Sequence, residues 1–319
     1  MTQESAPPNL SWERDVISRL SFAAIHEQRR ARRWGIFFKG LFFIYLFTLL
    51  GLYLWDSISS FHLSGKHTAV VDVKGVISDS GDANANDIIA SLRAAFEDSD
   101  TVGVILRINS PGGSPVQAAY VNDEIWRLRA KYPKIPLYAV VSDICASGGY
   151  YIATAAQKIY ADKGSVVGSI GVRMDSFGFV DAMQKLGIER RLFTAGEHKG
   201  FLDPFLPAQP EDVSHIKSLL AQIHQQFIEV VKKGRGNRLK GDDTLFSGLM
   251  WTGEQAQSLG LVDGLGSSDF VAREVFKTET IEDYTHRTGL LDRALEHVGT
   301  TLVRIFPQIF AEVTRPRVM

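Results

Sequence analysis

The chain has 319 residues, of which 45% are hydrophobic and 22% are charged, a composition typical of a folded globular protein. The 35 Lys and Arg residues nearly balance the 36 Asp and Glu residues, and the resulting net charge of −1 gives no support for nucleic-acid binding, which needs a basic surface. The single cysteine, Cys145, excludes an intramolecular disulfide and any metal site built from several cysteines.

The first distinctive segment is an apolar run of 21 residues, Gly35 to Trp55, in which Lys39 is the only charged residue. A helix of this length rises about 30 Å, the thickness of the hydrocarbon core of a bilayer. Trp34 and Trp55 stand at its two ends, where indole side chains favour the membrane interface. A buried core helix is the alternative, but core helices are seldom this long and apolar on all sides. The segment therefore predicts a transmembrane helix over residues 35–55.

The charges that flank this run predict its orientation. The residues before it include Arg29, Arg30, Arg32 and Arg33, and no Lys or Arg follows it before Lys66. By the positive-inside rule, residues 1–34 lie in the cytoplasm and the rest of the chain lies on the far side. A cleaved signal peptide is the alternative, but the run is too long, starts late and lacks an Ala-x-Ala site. We expect a retained signal anchor and then a linker over residues 56–67.

From Thr68 onward, short apolar runs alternate with helical patterns. The candidate strands are Ala69 to Val73, Val102 to Ile108, Pro136 to Val141, Lys158 to Ala161 and Glu189 to Phe193. The candidate helices are Asp87 to Phe96, Val116 to Ala130 and Glu211 to Lys233, the last with Gly234 as its cap and one apolar stripe for packing. Strands separated by helices predict βαβ units and a mainly parallel sheet. Residues 68–289 are interpreted as this domain, and residues 290–319 as an amphipathic C-terminal tail, for which packing on protein is favoured over the membrane surface.

Three glycine-bearing turns follow candidate strands. The first, Asn109 to Ser114, combines a proline with paired glycines and can aim backbone N–H groups at a developing negative charge, although a plain strand–helix turn has the same pattern. The second places Ser147 just before a helix, where N-terminal amides favour an oxyanion; a structural serine is the alternative. The third, Gly164 to Val172, contains Ser169, which can orient another polar side chain. Cys145 is interpreted as a small buried residue.

A serine nucleophile needs a general base. Among the eight histidines, His198 alone lies in a loop that could approach these turns; the others fall in the cytoplasmic segment, the linker, the long helix or the polar tail region. Lys199 is its neighbour. A loop lysine is ordinarily solvated, but burial near a serine lowers the pKa of a lysine so that it can act as a base. The residues alone leave His198 and Lys199 as equal candidates.

Taken together, these motifs resemble the signal peptide peptidase A family of membrane-bound serine proteases, peptidase family S49. The similar runs are Ile108 to Gly113, Ala146 to Tyr151, Gly168 to Gly171, Gly196 to Lys199, Trp251 to Ala256 and Gly260 to Asp263. Any one of them is weak, because Ser-Pro-Gly-Gly also occurs in the related Clp protease and crotonase folds. Found together in this order and spacing, over residues 68–275, the motifs are specific to this family.

The resemblance implies an α/β fold of the Clp protease/crotonase type, with repeated ββα units, preceded by one transmembrane helix. By position, it assigns Ser147 as the nucleophile and Lys199 as the general base. Ser169 matches the serine that orients the base, and Gly113 and Gly148 match the two backbone donors of the oxyanion hole. This assignment favours Lys199 over His198. The implied reaction is acyl transfer through an acyl-enzyme that water resolves, with no metal, nucleotide or other cofactor.

The resemblance also implies substrates, partners and location. Members of the family degrade hydrophobic remnant signal peptides at the membrane, so the expected partners are such peptides and the lipid bilayer, and not nucleic acid. Members assemble into bowl-like rings in which serine and lysine come from neighbouring subunits, and a single-length catalytic region implies a ring of about eight protomers. The expected location is the bacterial inner membrane, with the N-terminus cytoplasmic and the catalytic domain periplasmic.

Three alternatives remain open at this point. One is a SohB-like inner-membrane peptidase with other substrates, whose motifs would look almost the same. The second is crotonase-type acyl-CoA chemistry, which would use the same oxyanion turns but leaves the anchor and the Ser147–Lys199 pair unexplained. The third is a catalytically silent membrane scaffold, whose function would survive removal of Ser147.

Overall fold

The computed structural model describes residues 11–59 and 65–286, with the side chains of residues 19, 22, 27–51 and 65–286. It divides into two units, residues 1–64 and 65–319. The first contains one helix, α1 (Ser11–Ser59). Its segment Glu27–Gly51 has a mean hydropathy of 1.7 and is long and apolar enough to cross a membrane. Helix α1 runs past the predicted end of the span at residue 55, so the predicted linker begins inside a helix.

The second unit is built around an eight-stranded sheet within residues 65–286. Its strands are β1 (His67–Lys74), β2 (Thr101–Ser110), β3 (Leu137–Ala146), β4 (Lys158–Ala161), β5 (Val166–Gly168), β6 (Met250–Thr252), β7 (Gly264–Leu265) and β8 (Ile281–Asp283). The main order is β6-β5-β3-β2-β1-β8, while β4 pairs with β3 and β7 pairs with β4. All pairings are parallel except β5 with β6. The predicted mainly parallel α/β sheet is confirmed.

Helices connect these strands. They are α2 (Ala85–Glu97), α3 (Pro115–Lys131), α4 (Gly148–Ala153), α5 (Val180–Lys185), α6 (Pro210–Arg235), α7 (Gly253–Ser258) and α8 (Ser268–Phe270). The central strands β1 and β2 are nearly continuous apolar runs and are buried on both faces, as parallel sheets require. Helices α2 and α3 cover one face, and residues 271–276 cover the other. His67, predicted to belong to the linker, is instead buried in β1, because it begins the strand that pairs with Thr101.

Strand β3 changes partner along its length. Its first half, Tyr138 to Val140, pairs with β4, and its second half, Ile144 to Ala146, pairs with β5. Between the halves, the Ser165 hydroxyl donates a hydrogen bond to the Ser142 carbonyl at 2.5 Å. This fork brings the carboxyl ends of β3 and β5 side by side, and each end is followed by one of the candidate serines.

Helix α6 differs from its prediction at the C-terminal end. Gly234, expected to cap the helix, lies inside it, and an added Cβ would lie 2.2 Å from the Thr154 carbonyl oxygen, so glycine permits close packing on α4. The predicted apolar stripe packs only over its second half, where Phe227 is buried. Val213 and Leu219, in the first half, are 40% and 39% exposed, because the hydrophobic core does not extend to that half of the helix.

Residues 171–209, which we call the arm, connect β5 to α6. The strand predicted over Glu189 to Phe193 is wrong: these residues form no strand and Phe193 is 91% exposed. The segment carries the charged residues Glu189, Arg190 and Arg191, all five of its residues are exposed, and none of them pairs with a strand of the sheet. The only helix of the arm is the short α5. The predicted C-terminal tail over residues 290–319 lies outside the described residues.

Candidate active site

Ser147 occupies the sharp junction between β3 and α4. Its backbone has φ +50° and ψ −121°, a conformation that a residue with a Cβ adopts only under strain of about 1–3 kcal/mol. The Ser147 N–H donates to the Gly168 carbonyl at 2.9 Å, and its carbonyl accepts from the Tyr151 N–H at 2.9 Å. The half-buried side chain does not cap α4. The backbone is thus held at both sides while the hydroxyl is left for other contacts.

The loop between β2 and α3 packs against this junction. An ideal Cβ on Gly112 would lie 2.7 Å from the Ser147 Cβ and 2.7 Å from the Gly148 nitrogen, so only glycine fits at this point. An ideal Cβ on Gly148 would lie 3.3 Å from the Gly113 nitrogen. The Gly113 and Gly148 amides therefore lie close to each other beside Ser147.

Most backbone groups of this loop are already hydrogen-bonded. The Gly112 N–H donates to the Ser110 hydroxyl at 3.1 Å, and the Ser114 N–H donates to the Ile77 carbonyl at 2.8 Å. The Ile77 N–H in turn donates to the Gly112 carbonyl at 2.9 Å. Within residues 65–286, the N–H groups of Gly113 and Gly148 donate to no other group. Two preorganised donors beside a serine hydroxyl can stabilise an oxyanion.

Ser169 follows β5 at the position that corresponds to Ser147 after β3. The register pairs Ala146 with Gly168, so the two serines come next on neighbouring strands. Ser169 also has a positive φ, +51°, and its N–H donates to the Leu249 carbonyl at 2.7 Å. The structure therefore brings four of the predicted site residues to one edge of the sheet, namely Ser147, Ser169, Gly113 and Gly148.

Lys199, the fifth predicted residue, is not brought to Ser147 within a single chain. It lies in an exposed turn of the arm, where its N–H donates to the Gly196 carbonyl at 3.2 Å. Among the described residues, no hydrogen bond or ion pair joins its ammonium group to another side chain. The adjacent His198 has its Nδ1 3.2 Å from the Asp212 Oδ1 at the start of α6. His198 also lines a cavity of about 330 Å³ with Phe201, Glu211, Asp212 and His215.

Other titratable groups near Ser147 are structural. Burial raises the pKa of the Cys145 thiol well above its ordinary range, so this cysteine is not an available nucleophile. Burial likewise raises the pKa of Tyr150, whose hydroxyl donates to the Leu261 carbonyl at 2.7 Å and so ties α4 to the segment after α7. No cluster of three or more His, Cys, Asp or Glu side chains able to hold a metal ion occurs in the described ranges.

A buried ion pair fixes the C-terminal end of α6. Arg235 is 1% exposed and donates to both carboxylate oxygens of Asp263, at 2.7 and 3.1 Å, and twice to the Gly260 carbonyl. Burial raises the pKa of Asp263, but the hydrogen bonds and charge of Arg235 outweigh burial and hold the pKa below its ordinary value. The sequence pattern alone gave Arg235 no role. The motif Gly260 to Asp263 could have pointed to it, because the two groups that Arg235 contacts are the Gly260 carbonyl and the Asp263 carboxylate.

His224 and Ile77 are two further contributors that sequence reasoning missed. The sequence gives His224 no role beyond its place on the long helix, but it is half-buried and its Nε2 lies 3.2 Å from the Ile170 carbonyl, one residue after Ser169. Ile77 holds the Gly112–Gly113 loop through its backbone, which no side-chain pattern reveals.

Comparisons with known proteins bear on this site. A family model described as Peptidase family S49 matches residues 129–282. A putative protease of Synechocystis sp. is 31% identical over 204 residues, which are 64% of this chain and 71% of that protein. The chain belongs to peptidase family S49. A putative signal peptide peptidase SppA of Enterococcus faecium is 30% identical to this S49 chain over 230 residues, 70% of this chain and 66% of that protein.

Higher identity occurs with a longer protein of another name. A protein of Brucella melitensis biotype 1 named Na(+)/H(+) antiporter NhaA is 44% identical over 209 residues, which are 65% of this chain. The S49 chain spans only 28% of that relative's length, and 28% of its Brucella abortus counterpart. The name of the longer protein therefore does not identify the shared part. The family's Clp-protease-like α/β fold agrees with the observed sheet.

Proposed function

We propose that this S49 chain is a membrane-anchored serine endopeptidase, with Ser147 as nucleophile and Lys199 as general base, that degrades hydrophobic peptides such as remnant signal peptides. The observation that carries the proposal is the strained Ser147 next to two unengaged amides, Gly113 and Gly148. Strain at a half-buried serine is typical of functional sites, because surrounding structure must hold it in place.

The proposed reaction uses these groups in sequence. Neutral Lys199 takes the proton of the Ser147 hydroxyl as the oxygen attacks the peptide carbonyl, and the resulting oxyanion accepts hydrogen bonds from Gly113 and Gly148. The ammonium then returns the proton to the leaving amine, and the peptide C–N bond breaks to give an acyl-enzyme. Water attacks the ester with Lys199 again as base. The Ser169 hydroxyl would orient the lysine.

The exposed arm supports a lysine that comes from a neighbouring copy. The arm presents exposed apolar side chains, among them Phe177 at 77%, Leu186 at 73% and Phe193 at 91% exposure. Such a surface is unusual on a protein that works as a monomer. Docked on a second subunit, the arm would bury these side chains and bring Lys199 to that subunit's Ser147. In a closed ring of about eight copies, every arm would dock on a neighbouring subunit.

The rim of the site supports a hydrophobic substrate. Leu249 and Met250, next to Ser169, and Val116 in the first turn of α3, have largely exposed side chains. Val76, which precedes the loop-holding Ile77, is exposed as well. Apolar side chains on both sides of Ser147 favour apolar peptide residues by burying their surface. Helix α1 would keep the enzyme in the inner membrane with its catalytic domain on the periplasmic side, where such peptides arise.

The test is cleavage of a quenched-fluorescent signal-like peptide by the full-length protein in detergent. Ser147→Ala and Lys199→Ala are each expected to lower kcat by about a thousandfold or more. His198→Ala is the matched control, because it alters the same turn but removes no group that takes part in the proposed proton transfer, so it is expected to keep most of the activity. Full activity of Ser147→Ala would refute the mechanism, and a wild type inactive on all peptides would favour the scaffold alternative.

Mixing the two inactive variants tests whether the dyad crosses subunits. In randomly mixed rings, a site is complete only when Ser147 comes from the Lys199→Ala chain and Lys199 from the Ser147→Ala chain. Equal mixing then restores about one quarter of wild-type activity. No recovery after confirmed subunit exchange would show that the two residues act within one chain.

A further inference from the structure

Helix α1 carries four exposed arginines within five residues, just before the apolar segment. They are Arg29, Arg30, Arg32 and Arg33, and we call them the arginine cluster. Glu27 is the only acidic residue among residues 27–51. Within the side chains described for α1, none of the four guanidinium groups forms an ion pair or hydrogen bond with a carboxylate. Among the described side chains, the cluster therefore holds four positive charges without a paired carboxylate.

The helix places these charges next to one another. Residues three or four apart are neighbours on a helix, so the Arg29 side chain lies beside those of Arg32 and Arg33, and the Arg30 side chain lies beside that of Arg33. Like charges at these spacings destabilise a helix unless an anion lies between them. A guanidinium group donates in a planar fork that matches two phosphate oxygens. The arrangement thus favours a phosphate-bearing ligand.

An aromatic group fixes the depth of the cluster. The Trp34 ring lies 5.8 Å from that of Phe37 and 5.7 Å from that of Phe38, at the start of the apolar segment. Indole rings favour the membrane interface, so Trp34 would sit at headgroup level. The cluster lies within about 8 Å of Trp34 along the helix axis, at the depth of lipid phosphates. Lys39, one and a half turns farther on, has a stem long enough to reach the same layer.

We propose that the arginine cluster, with Lys39, binds the phosphates of anionic lipids in the leaflet on the N-terminal side. The inference rests on the proposed membrane anchoring by α1 and adds a lipid class to it. Each cation near an anionic bilayer surface favours anionic over neutral lipid by about fivefold in local concentration. The ligand chemistry is a phosphodiester with one net negative charge, next to the Trp34 ring.

The test measures lipids retained by the full-length protein in nanodiscs made from equal amounts of phosphatidylglycerol and phosphatidylethanolamine with the same acyl chains. Native mass spectrometry is expected to give about fivefold enrichment of phosphatidylglycerol over the nanodisc ratio. The variant Arg29→Gln/Arg30→Gln/Arg32→Gln/Arg33→Gln is expected to lose it. A charge-matched control removes four exposed lysines of the other unit: Lys134, Lys163, Lys240 and Lys277. This control is expected to keep the enrichment.

Two accompanying measurements separate the possible failures. If wild type and arginine variant both resist carbonate extraction but retain the two lipids equally, the inference is wrong and the anchor stands. If wild type is extracted by carbonate, the anchor fails and the inference fails with it. If excess inorganic phosphate abolishes the enrichment, the cluster is a site for free anions and the lipid assignment is overturned. Peptidase activity of the arginine variant in neutral lipid is expected to equal that of wild type.

Discussion

The contact between Gly112 and the Ser147 junction permits a sharp test of the oxyanion site. An alanine at position 112 would place its Cβ 2.7 Å from the Ser147 Cβ and 2.9 Å from the Ala146 carbonyl oxygen. Ordinary contacts of a Cβ begin near 3.4 Å, so the loop must move by about 0.5 Å or more. Because oxyanion donors act only at hydrogen-bond distance, Gly112→Ala is expected to lower kcat by about a hundredfold to a thousandfold.

Gly75→Ala is the matched control for backbone strain. Gly75 has φ +87° and Gly112 has φ +99°, so alanine is strained by a similar amount, about 1–3 kcal/mol, at either position. A Cβ on Gly75, however, meets no atom within 4 Å. Gly75→Ala is therefore expected to lose only the stability that backbone strain costs, and Gly112→Ala to lose about 1–3 kcal/mol more from the clash, while only Gly112→Ala loses catalytic rate.

The assay combines peptide cleavage with the rate at which a fluorophosphonate labels the serine hydroxyl, since both reactions form an oxyanion-like centre. Thermal unfolding in the same detergent monitors the stability of both variants. If Gly112→Ala kept kcat within threefold of Gly75→Ala, the contact with Ser147 would not position the oxyanion donors, and the reasoning would be refuted.

Three further predictions concern strain and buried charge. Ser147→Gly relieves the strain of a positive φ, so it should melt about 2–4 °C above Ser147→Ala although both are inactive; equal melting would contradict the strain. Hydrogen bonds from Arg127 and Arg93 hold the pKa of Glu124 at about 2, against 4.5 ordinarily. The ionised Glu124 therefore stabilises the folded state above pH 4.5, and this contribution is lost as pH falls toward 2. Glu124→Gln should therefore lower unfolding free energy at pH 7 by about 1 kcal/mol, with the difference narrowing from pH 5 to pH 3 in denaturant titrations; a constant difference would contradict this. Asp263→Asn leaves buried Arg235 without its counter-charge and should lower unfolding free energy by about 3–5 kcal/mol in the same titrations, whereas a loss under 1 kcal/mol would make the pair no stronger than a surface pair.

Much of the fold could be predicted because its central elements carry strong patterns. Strands β1, β2 and β4 and helices α2 and α3 lie within two or three residues of their predictions, since buried parallel strands and amphipathic helices have distinct apolar periods. The proximity of Ser147 and Gly113 also follows from the pattern, because the carboxyl ends of parallel strands meet at one edge of a sheet, whereas Ser169 follows β5, a strand that the sequence did not predict.

The arm could not be predicted, because its structure depends on neighbours that the local pattern does not specify. Glu189 to Phe193 contains three charged residues and only two apolar ones, and a strand forms only where a neighbouring strand pairs with it; here all five residues are exposed and none pairs with the sheet. The apolar stripe of α6 extends past the core for a similar reason: the period identifies a face but not what covers it. The role of Lys199 came from the family resemblance, and it remains a prediction.

Helix α6 is fixed at one end only. It is held at its C-terminal end by Gly234 against Thr154 and by the Arg235 ion pair, whereas the residues before Phe227 lie largely outside the core. This free part is about 25 Å long, so a tilt of about 5° at the fixed end would move the far end by about 2 Å. Because Asp212 at that end contacts His198, the turn that holds Lys199 would move with it. A larger side chain at Gly234, at the opposite end of α6, would then change the position of the proposed general base Lys199 without contacting it.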